Sequence, residues 1–404
     1  MPELAIVADD LSGAAESAAA FLLRTMRISV GLYAAHRPPV VDSRSTNRVI
    51  AVDTNSRRQS PAEAADSVRS AIAACGGVPI LKKVDSLLRG NLAAEVGALR
   101  DLYGVVPIVA TALPVAGRVV VDGVLRVAGV PLHETGLWHA EDRPAPRSVA
   151  EALAPLDTCL VPLATVREGG EILAKALAET GAAGLVAVCD AESDDDLDGV
   201  HAAARLVCER PVLVGSGALA GAAARAFPAD GPELVAPAPS VAEAVLVVVG
   251  SAAPSLSVQL TALEAAADVV LRLDPHALLR DPRGVRRYIT ARVRGSRCAV
   301  VSLAGDAGVR PELAPQLAAS LAQAVEPAAA DHRALVLTGG ETARGVLDLL
   351  GIDRLTPVAE RCGAVLSRAG DRLVATRPGS FGSPTSLADL VASLFTEPVP
   401  EEPI

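Results

Sequence analysis

Residues 80–102 read ILKKVDSLLRGNLAAEVGALRDL, and how this stretch divides decides the fold. Ile80 to Val84 is a short apolar run interrupted by two lysines, the length of a strand. From Asn91 to Leu102 apolar residues recur at helical spacing. Between them lie Asp85, Ser86, Arg89 and Gly90. Strand, polar turn and helix in that order make half of a βαβ unit, the repeating part of a parallel sheet. Such a turn leaves the carboxyl end of a strand and enters a helix N-terminus, where ligands collect in open parallel sheets. Strand alternation puts Lys83 and Asp85 on one side and Lys82 on the other. Lys83 could then neutralise an anion while Asp85 accepts a proton from a hydroxyl. The same pair could equally be a structural ion pair, and the residues alone leave both readings open.

The pattern recurs along the chain. Leu4–Ala8, Val49–Asp53 and Val106–Ala110 read as further strands, with helices predicted over Ser12–Arg24 and Pro61–Ala74. Gly117–Val127 reads instead as a hairpin with Gly123 in its turn. Leu185–Cys189 and Val212–Val214 continue the αβ series. Four prolines in PADGPELVAPAP (228–239) cannot continue a helix or a central strand and read as a linker. A second αβ series follows, with strands at Val245–Val249, Ala299–Leu303 and Leu335–Leu337 and helices at Ser255–Ala267 and Glu312–Ala324. The expected fold is α/β, in two domains that are each a mostly parallel sheet flanked by helices, with an active-site cleft between them. The expected boundaries are 1–230 for a substrate domain, 231–244 for the linker, 245–396 for a nucleotide domain and 397–404 for a disordered tail.

Composition narrows the function. Half of the 404 residues are apolar, the formal net charge is −10, and the aromatics are one Trp, three Tyr and four Phe. Without a basic stripe or stacking platforms, nucleic acid is excluded as a partner. A small anionic substrate would need a site that is locally positive or that recruits a metal ion. Six cysteines without a CxxC pair argue against zinc and disulfides and fit a reducing cytoplasm. No segment stays apolar long enough to cross a bilayer, so no membrane partner is expected. The sequence leaves homo-oligomerisation open.

Other polar clusters also follow strands. VADDLSG ends its strand with Asp9 and Asp10 before Ser12 and Gly13 open a helix; capping explains one such aspartate, not two. DTNSR ends on Arg57, whose guanidinium could grip a carboxylate in bidentate fashion or be an ordinary loop arginine. In the second half, VVVGSAAPS, LVLTGGETARG and TRPGSFGSP are glycine-containing turns. Gly339 and Gly340 let the backbone approach a ligand, and Glu341 and Thr342 begin a helix whose N-terminus favours phosphate. Neither GxxxxGK[ST] nor GxGxxG occurs. His133 and Glu134 have no second histidine at metal-ligand spacing and read as structural.

Taken in order, VADDLSGA, DTNSR, KKVDSLLRGN, GRVVVDG with VPLHET, VVVGSAAPS, VLTGGET and TRPGSFG resemble the four-carbon acid sugar kinase family from residue 5 to about 390. The resemblance implies an ATP-dependent kinase whose first domain binds a sugar acid of the threonate, erythronate or 3-oxo-tetronate type and whose second binds the nucleotide. It implies substrate binding by Asp9, Asp10, Arg57, Lys83, Asp85, Ser86 and Arg89, with Asp85 or Asp10 orienting and deprotonating the attacking hydroxyl. It implies nucleotide binding by Ser251, Gly339, Gly340, Glu341, Thr342, Gly379 and Gly382, with Mg²⁺ offsetting phosphate charge. The chain departs from the family pattern at Ser12 and Leu87, where threonines are usual, at Ala15 to Ala18, at Ala253, and at Arg377, where a lysine is usual. It also reads as short around Trp138–Arg147. These departures keep open a kinase of another small metabolite, and a non-catalytic sensor of sugar acid or nucleotide.

Overall fold

The computed structural model describes residues 2–33, 46–104, 106–139, 141, 143–230, 241–250, 254–304, 311–379 and 382–396. The expected tail, most of the expected linker, Ser251 and Ala253 lie outside these. The chain forms two compact units, Met1–Asp230 and Gly231–Ile404.

The first unit opens with β1 (Leu4–Ala8), α1 (Leu11–Ala19), β2 (Ile28–Leu32), β3 (Val49–Asp53) and α2 (Pro61–Ala74). It continues through β4 (Ile80–Lys83), α3 (Leu92–Tyr103), β5 (Ile108–Ala110), β6 (Arg118–Val121), β7 (Val124–Val127) and β8 (Val130–Pro131). The rest is α4 (Val149–Ala152), β9 (Thr158–Val161), α5 (Leu163–Glu168), α6 (Gly170–Ala182), β10 (Val186–Cys189), α7 (Asp194–Val207), β11 (Leu213–Gly215) and α8 (Gly217–Ala226). Its main sheet runs β2-β3-β1-β4-β11-β5-β10-β9, with every pairing parallel. β1 and β3 are apolar almost throughout and buried at nearly every position, as strands covered on both faces must be. The chain fills one side of β1 with β3 and β2, then crosses to the other with β4. The carboxyl ends of β1, β3 and β4 therefore lie together at the point where strand order reverses.

The hairpin is β6 with β7, and β8 extends it. Asp122 and Gly123 both take positive φ, 53° and 72°, the geometry of a two-residue turn matched to strand twist. Helix α1 stops at Ala19, short of the expected Arg24, because the chain tightens into turns after Ala18.

The second unit contains β12 (Val245–Val249), α9 (Pro254–Glu264), β13 (Val269–Leu273), α10 (Pro275–Arg280), α11 (Pro282–Val293), β14 (Cys298–Leu303) and α12 (Ala314–Asp331). It ends with β15 (Ala334–Thr338), α13 (Gly340–Leu349), β16 (Arg354–Arg361), β17 (Ala364–Ala369), β18 (Arg372–Arg377) and α14 (Ser386–Thr396). Strands β13-β14-β12-β15-β18 are parallel, and β17 and β16 continue the sheet antiparallel. Thr376 and Arg377, expected in a loop, instead complete β18. Helix α12 runs past the expected end at Ala324 and carries Pro327 inside it.

Candidate functional site

Site geometry in the first unit starts with β1, which delivers Asp9 and Asp10 at its carboxyl end. Asp10 is the N-cap of α1 and accepts from the Gly13 backbone N–H at 2.9 Å, satisfying one of the helix's orphan donors. Asp9 is almost fully buried and faces Arg57, from the loop after β3. The Arg57 Nε and one terminal nitrogen donate to the two Asp9 oxygens at 2.8 and 3.0 Å. Its other terminal nitrogen donates to Asp10 Oδ2 at 2.8 Å, and the guanidinium passes 3.8 Å from Asp85 Oδ1. The Asp9 main-chain carbonyl accepts from the N–H groups of Ser56 and Arg57 at 3.0 and 3.3 Å. One arginine thus ties two adjacent carboxylates, and the backbone holds its loop against the strand that carries them.

Asp85 follows β4 and is gripped by Arg89, four residues on, through Nε and a terminal nitrogen at 2.7 and 2.8 Å. The backbone N–H groups of Leu87 and Arg89 also donate to Asp85 Oδ2, at 3.2 and 3.3 Å. The turn between is strained: Leu88 sits at φ 61°, uncommon for a branched side chain. It is pinned from outside by Trp138, whose indole N–H donates to the Leu87 carbonyl at 2.8 Å. Arg143 stacks over the Trp138 ring and donates to the Gly90 carbonyl. Trp138 and Arg143 together therefore strap this turn.

Lys83 is 5% exposed and makes no ion pair among the described residues. It stands against α1 at Gly13, where a Cβ would lie 2.7 Å from both Lys83 Nζ and Asp10 Oδ1. Only a glycine lets the ammonium and the carboxylate crowd the first turn of α1 together. Lys82 points to the opposite face, as alternation requires, and pairs with Glu95 of α3 at 3.0 Å.

Burial works against the charge on Asp9, but Arg57, Lys82 and Lys83 outweigh it and hold that carboxyl below its usual range. Burial also opposes ionisation of Asp85, where Arg89, Arg57 and Lys83 win by a wider margin and the group stays anionic. Desolvation opposes the charge of the half-buried Arg57, yet Asp10, Asp9 and Asp85 push its pKa well up. The sequence reading expects a site that is locally positive or recruits a metal ion. In the structure Asp9, Asp10 and Asp85 face Arg57, Lys83 and Arg89, with Arg118 and Lys82 as further cations within electrostatic reach.

All of the nominated first-unit residues meet here except Ser86, which joins through a residue that sequence reasoning did not nominate. Arg118 of β6 donates to Ser86 Oγ at 2.5 Å. Burial pulls the Arg118 pKa down, with Arg89 acting the same way and Asp85 and Glu16 opposing. Glu95 and Ser56 were likewise unnominated. Two consecutive lysines in an apolar strand were the available signal, since one of them must be buried and in need of a counter-ion.

In the second unit the nominated residues other than Ser251, which lies outside the described residues, follow β15 and β18, and Gly250 at the end of β12 joins them. Gly339, at φ 96°, caps α13, and its N–H donates to the Arg377 carbonyl at 3.2 Å. Gly340, Glu341 and Thr342 form the first turn of that helix. Gly250 donates to the Thr338 carbonyl, and a Cβ on it would overlap Thr342 Oγ1. Gly382 packs on the Arg377 guanidinium and Ser386, and Arg377 reaches Ser386 Oγ at 3.3 Å. Gly379 lies just beyond β18, half-buried. Ser302, Val249, Thr338 and Arg377 align in register across β14, β12, β15 and β18. The hydroxyls of Ser302 and Thr338 are buried without a hydrogen-bond partner among the described residues. Orphaned hydroxyls, a helix N-terminus and glycines with no room for a Cβ fit a group rich in phosphate oxygens. No cluster of three or more His, Cys, Asp or Glu side chains able to hold a metal ion occurs among the described residues.

Comparison with known proteins adds a separate line of observation. Residues 4–223 match the family model of a sugar-binding N-terminal domain, and residues 246–387 that of a nucleotide-binding C-terminal domain. The chain is 35% identical to a D-threonate kinase of Cupriavidus necator, over 95% of each chain. It is 31% identical to a 3-oxo-tetronate kinase of Methylobacterium radiotolerans, over 94% of this chain and 96% of that one. Its fold superposes on a Salmonella typhimurium LT2 protein described as a putative tRNA synthase, with TM-score 0.73 and 21% identity, over 95% of this chain and 97% of the other. At that identity the likeness speaks for the fold alone. Both domain models and a relative matched from end to end lead to one conclusion: this chain belongs to the four-carbon acid sugar kinase family.

Proposed function

We propose that the chain transfers the γ-phosphate of ATP to a hydroxyl of a four-carbon sugar acid, with D-threonate as the first acceptor to test. Family membership makes it a kinase acting on a small-molecule alcohol, with ATP as donor. The finer reading concerns which residues do what. The observation that carries it is Lys83, a buried ammonium without an ion-pair partner among the described residues, set among Asp9, Asp10 and Asp85.

Lys83 binds the carboxylate of the acid, and Arg57 holds Asp9 and Asp10 in place around it. Asp85, fixed by Arg89, accepts a hydrogen bond from the attacking hydroxyl. Its strongly stabilised charge makes it a weak base, so it orients the nucleophile and takes the proton late, as suits a loose phosphoryl-transfer transition state. Asp10 is the alternative partner for that hydroxyl. The α13 N-terminus, the Gly250 and Gly339 turns and the hydroxyls of Ser302 and Thr338 receive the phosphates. Mg²⁺, when bound, offsets phosphate charge. With no acidic cage among the described residues, it would be carried on phosphate oxygens, its usual mode.

The experiment is ADP release measured with D-threonate, L-threonate, D-erythronate and 3-oxo-tetronates. Saturable turnover with one of them upholds the reading. ATP binding with no turnover on any of these acids favours a kinase of another metabolite, the reading that Leu87 keeps open, and absence of catalysis with every hydroxy acid favours a sensor.

A further inference from the structure

Beneath the charged cluster lies a second polar system that the mechanism above does not use. Lys82 Nζ is fully buried and touches two groups, Glu95 Oε2 at 3.0 Å and the Lys83 carbonyl at 3.1 Å. The other Glu95 oxygen meets Ser56 Oγ at 2.5 Å. Ser56 Oγ lies 2.8 Å from Thr54 Oγ1, which donates to the Ala8 carbonyl at 2.8 Å. From one end to the other, this chain of contacts joins the carboxyl ends of β4, β3 and β1. Asn91, one turn before Glu95 on α3, adds bonds to the carbonyls of Ser56 and Gln59 at 3.0 and 2.9 Å.

The residues so tied are the immediate neighbours of the site. Ser56 precedes Arg57, Ala8 precedes Asp9, and the Lys83 carbonyl leads toward Asp85. We infer that Lys82, Glu95 and Ser56 are positioning residues, a buried hydrogen-bonded chain that fixes the Arg57 loop against the ends of β1 and β4. The inference rests on the reading that the acid binds above this chain.

A count of hydrogens sharpens it. Three contacts, Glu95 with Ser56, Ser56 with Thr54, and Thr54 with the Ala8 carbonyl, need three hydrogens, and the two hydroxyls supply two of them. The third is supplied if Glu95 carries a proton, accepts from Lys82 on one oxygen and donates to Ser56 from the other. Burial raises the Glu95 pKa, Asp9 acts in the same direction, and Lys82 and Ser56 oppose. Lys82 is then left to stabilise the Asp9 charge, to which it contributes. On this account glutamine replaces Glu95 without loss, because its amide donates to Ser56 while its carbonyl accepts from Lys82.

The test uses the full-length protein with Glu95→Gln, Glu95→Leu and Ser56→Ala. Amide hydrogen exchange over residues 54–59 is read without ligand, and KM is read separately for acid and ATP. Glu95→Gln is expected to match the parent in both. Glu95→Leu and Ser56→Ala are expected to speed exchange of that segment and to raise KM for the acid, each about tenfold for a lost buried hydrogen bond, with KM for ATP unchanged. If Glu95→Leu does not fold, Ser56→Ala decides. Unchanged exchange in Ser56→Ala overturns the inference, as does a parallel rise in KM for ATP, or a Glu95→Gln enzyme as impaired as Glu95→Leu. Should the parent turn over no four-carbon acid, the functional reading fails, and the exchange measurement still decides the positioning role.

Discussion

The two units solve ligand binding in opposite materials. In the first, side-chain charges hold one another: Arg57 holds Asp9 and Asp10, and Arg89 holds Asp85. In the second, the nominated residues are mainly glycines and helix-opening amides, with buried hydroxyls that lack partners among the described residues. A small acid offers few atoms, so its site must be positioned in advance by stiff ion pairs. A triphosphate offers many oxygens, so backbone donors that approach closely suffice. The first site should therefore be sensitive to the loss of a charge, and the second to the gain of a methyl group.

The largest expected effect tests the charged side. Asp85→Asn keeps the shape but weakens acceptance from the hydroxyl and lowers kcat by about 10²–10⁴-fold. Circular dichroism and melting should show the fold retained, and an active variant would remove Asp85 from the mechanism. Next, Gly250→Ala drives a methyl into Thr342. Overpacking of about 1–3 kcal/mol should appear as KM for ATP raised by roughly tenfold or more, with KM for the acid unchanged. Adding Thr342→Gly should relieve the overlap in the same assay. If both KM values move together, the contrast between the units fails.

A smaller effect is expected at Thr338. Thr338→Val removes a buried hydroxyl that has no partner among the described residues, so the unliganded protein should be as stable or more stable, by no more than about 1 kcal/mol. ATP affinity by calorimetry should fall severalfold. Unchanged affinity would detach the hydroxyl from nucleotide binding. The smallest effect concerns a charge pair remote from either ligand. The Arg27 hydrogen bond, helped by Thr25 and Arg48 against burial, holds Asp230 at about 2. The folded-state pKa lies below the unfolded value, so this contribution is complete above about pH 4 and disappears as pH falls through about 2. Asp230→Asn should melt lower than the parent at pH 7 and converge with it only as pH falls below about 2. Parallel curves would show that Asp230 contributes nothing to acid sensitivity.

Much of the fold was open to inspection because strand and helix periods differ so plainly here. Val49–Asp53, Pro61–Ala74 and Val245–Val249 have the boundaries that the periodicity predicts. The antiparallel pair β16 and β17 escaped notice. Arginines at 354, 361 and 368 interrupt its apolar alternation, and its turn uses Cys362, a residue seldom placed at positive φ. The predicted helix end at Ala324 is overrun by α12, which continues through Pro327 to Asp331, because proline costs a bond but packing can carry a helix across it. In the site, residues adjacent in sequence to a strand end were accessible to reasoning. Glu95 and Arg118 were not, since a glutamate on a helix and an arginine on a hairpin look solvent-facing until tertiary packing brings them to Lys82 and Ser86.

The ion pairs around Asp9, Asp10 and Asp85 have a consequence for the end of the catalytic cycle. On the proposed reading a sugar acid brings one negative charge, which Lys83 takes without disturbing the arginines. Once phosphorylated, the molecule carries about two more, while Arg57 and Arg89 are already committed to Asp9, Asp10 and Asp85 and Arg118 is bonded to Ser86. Repulsion then helps expel what the enzyme has made, so accumulated product should inhibit only feebly.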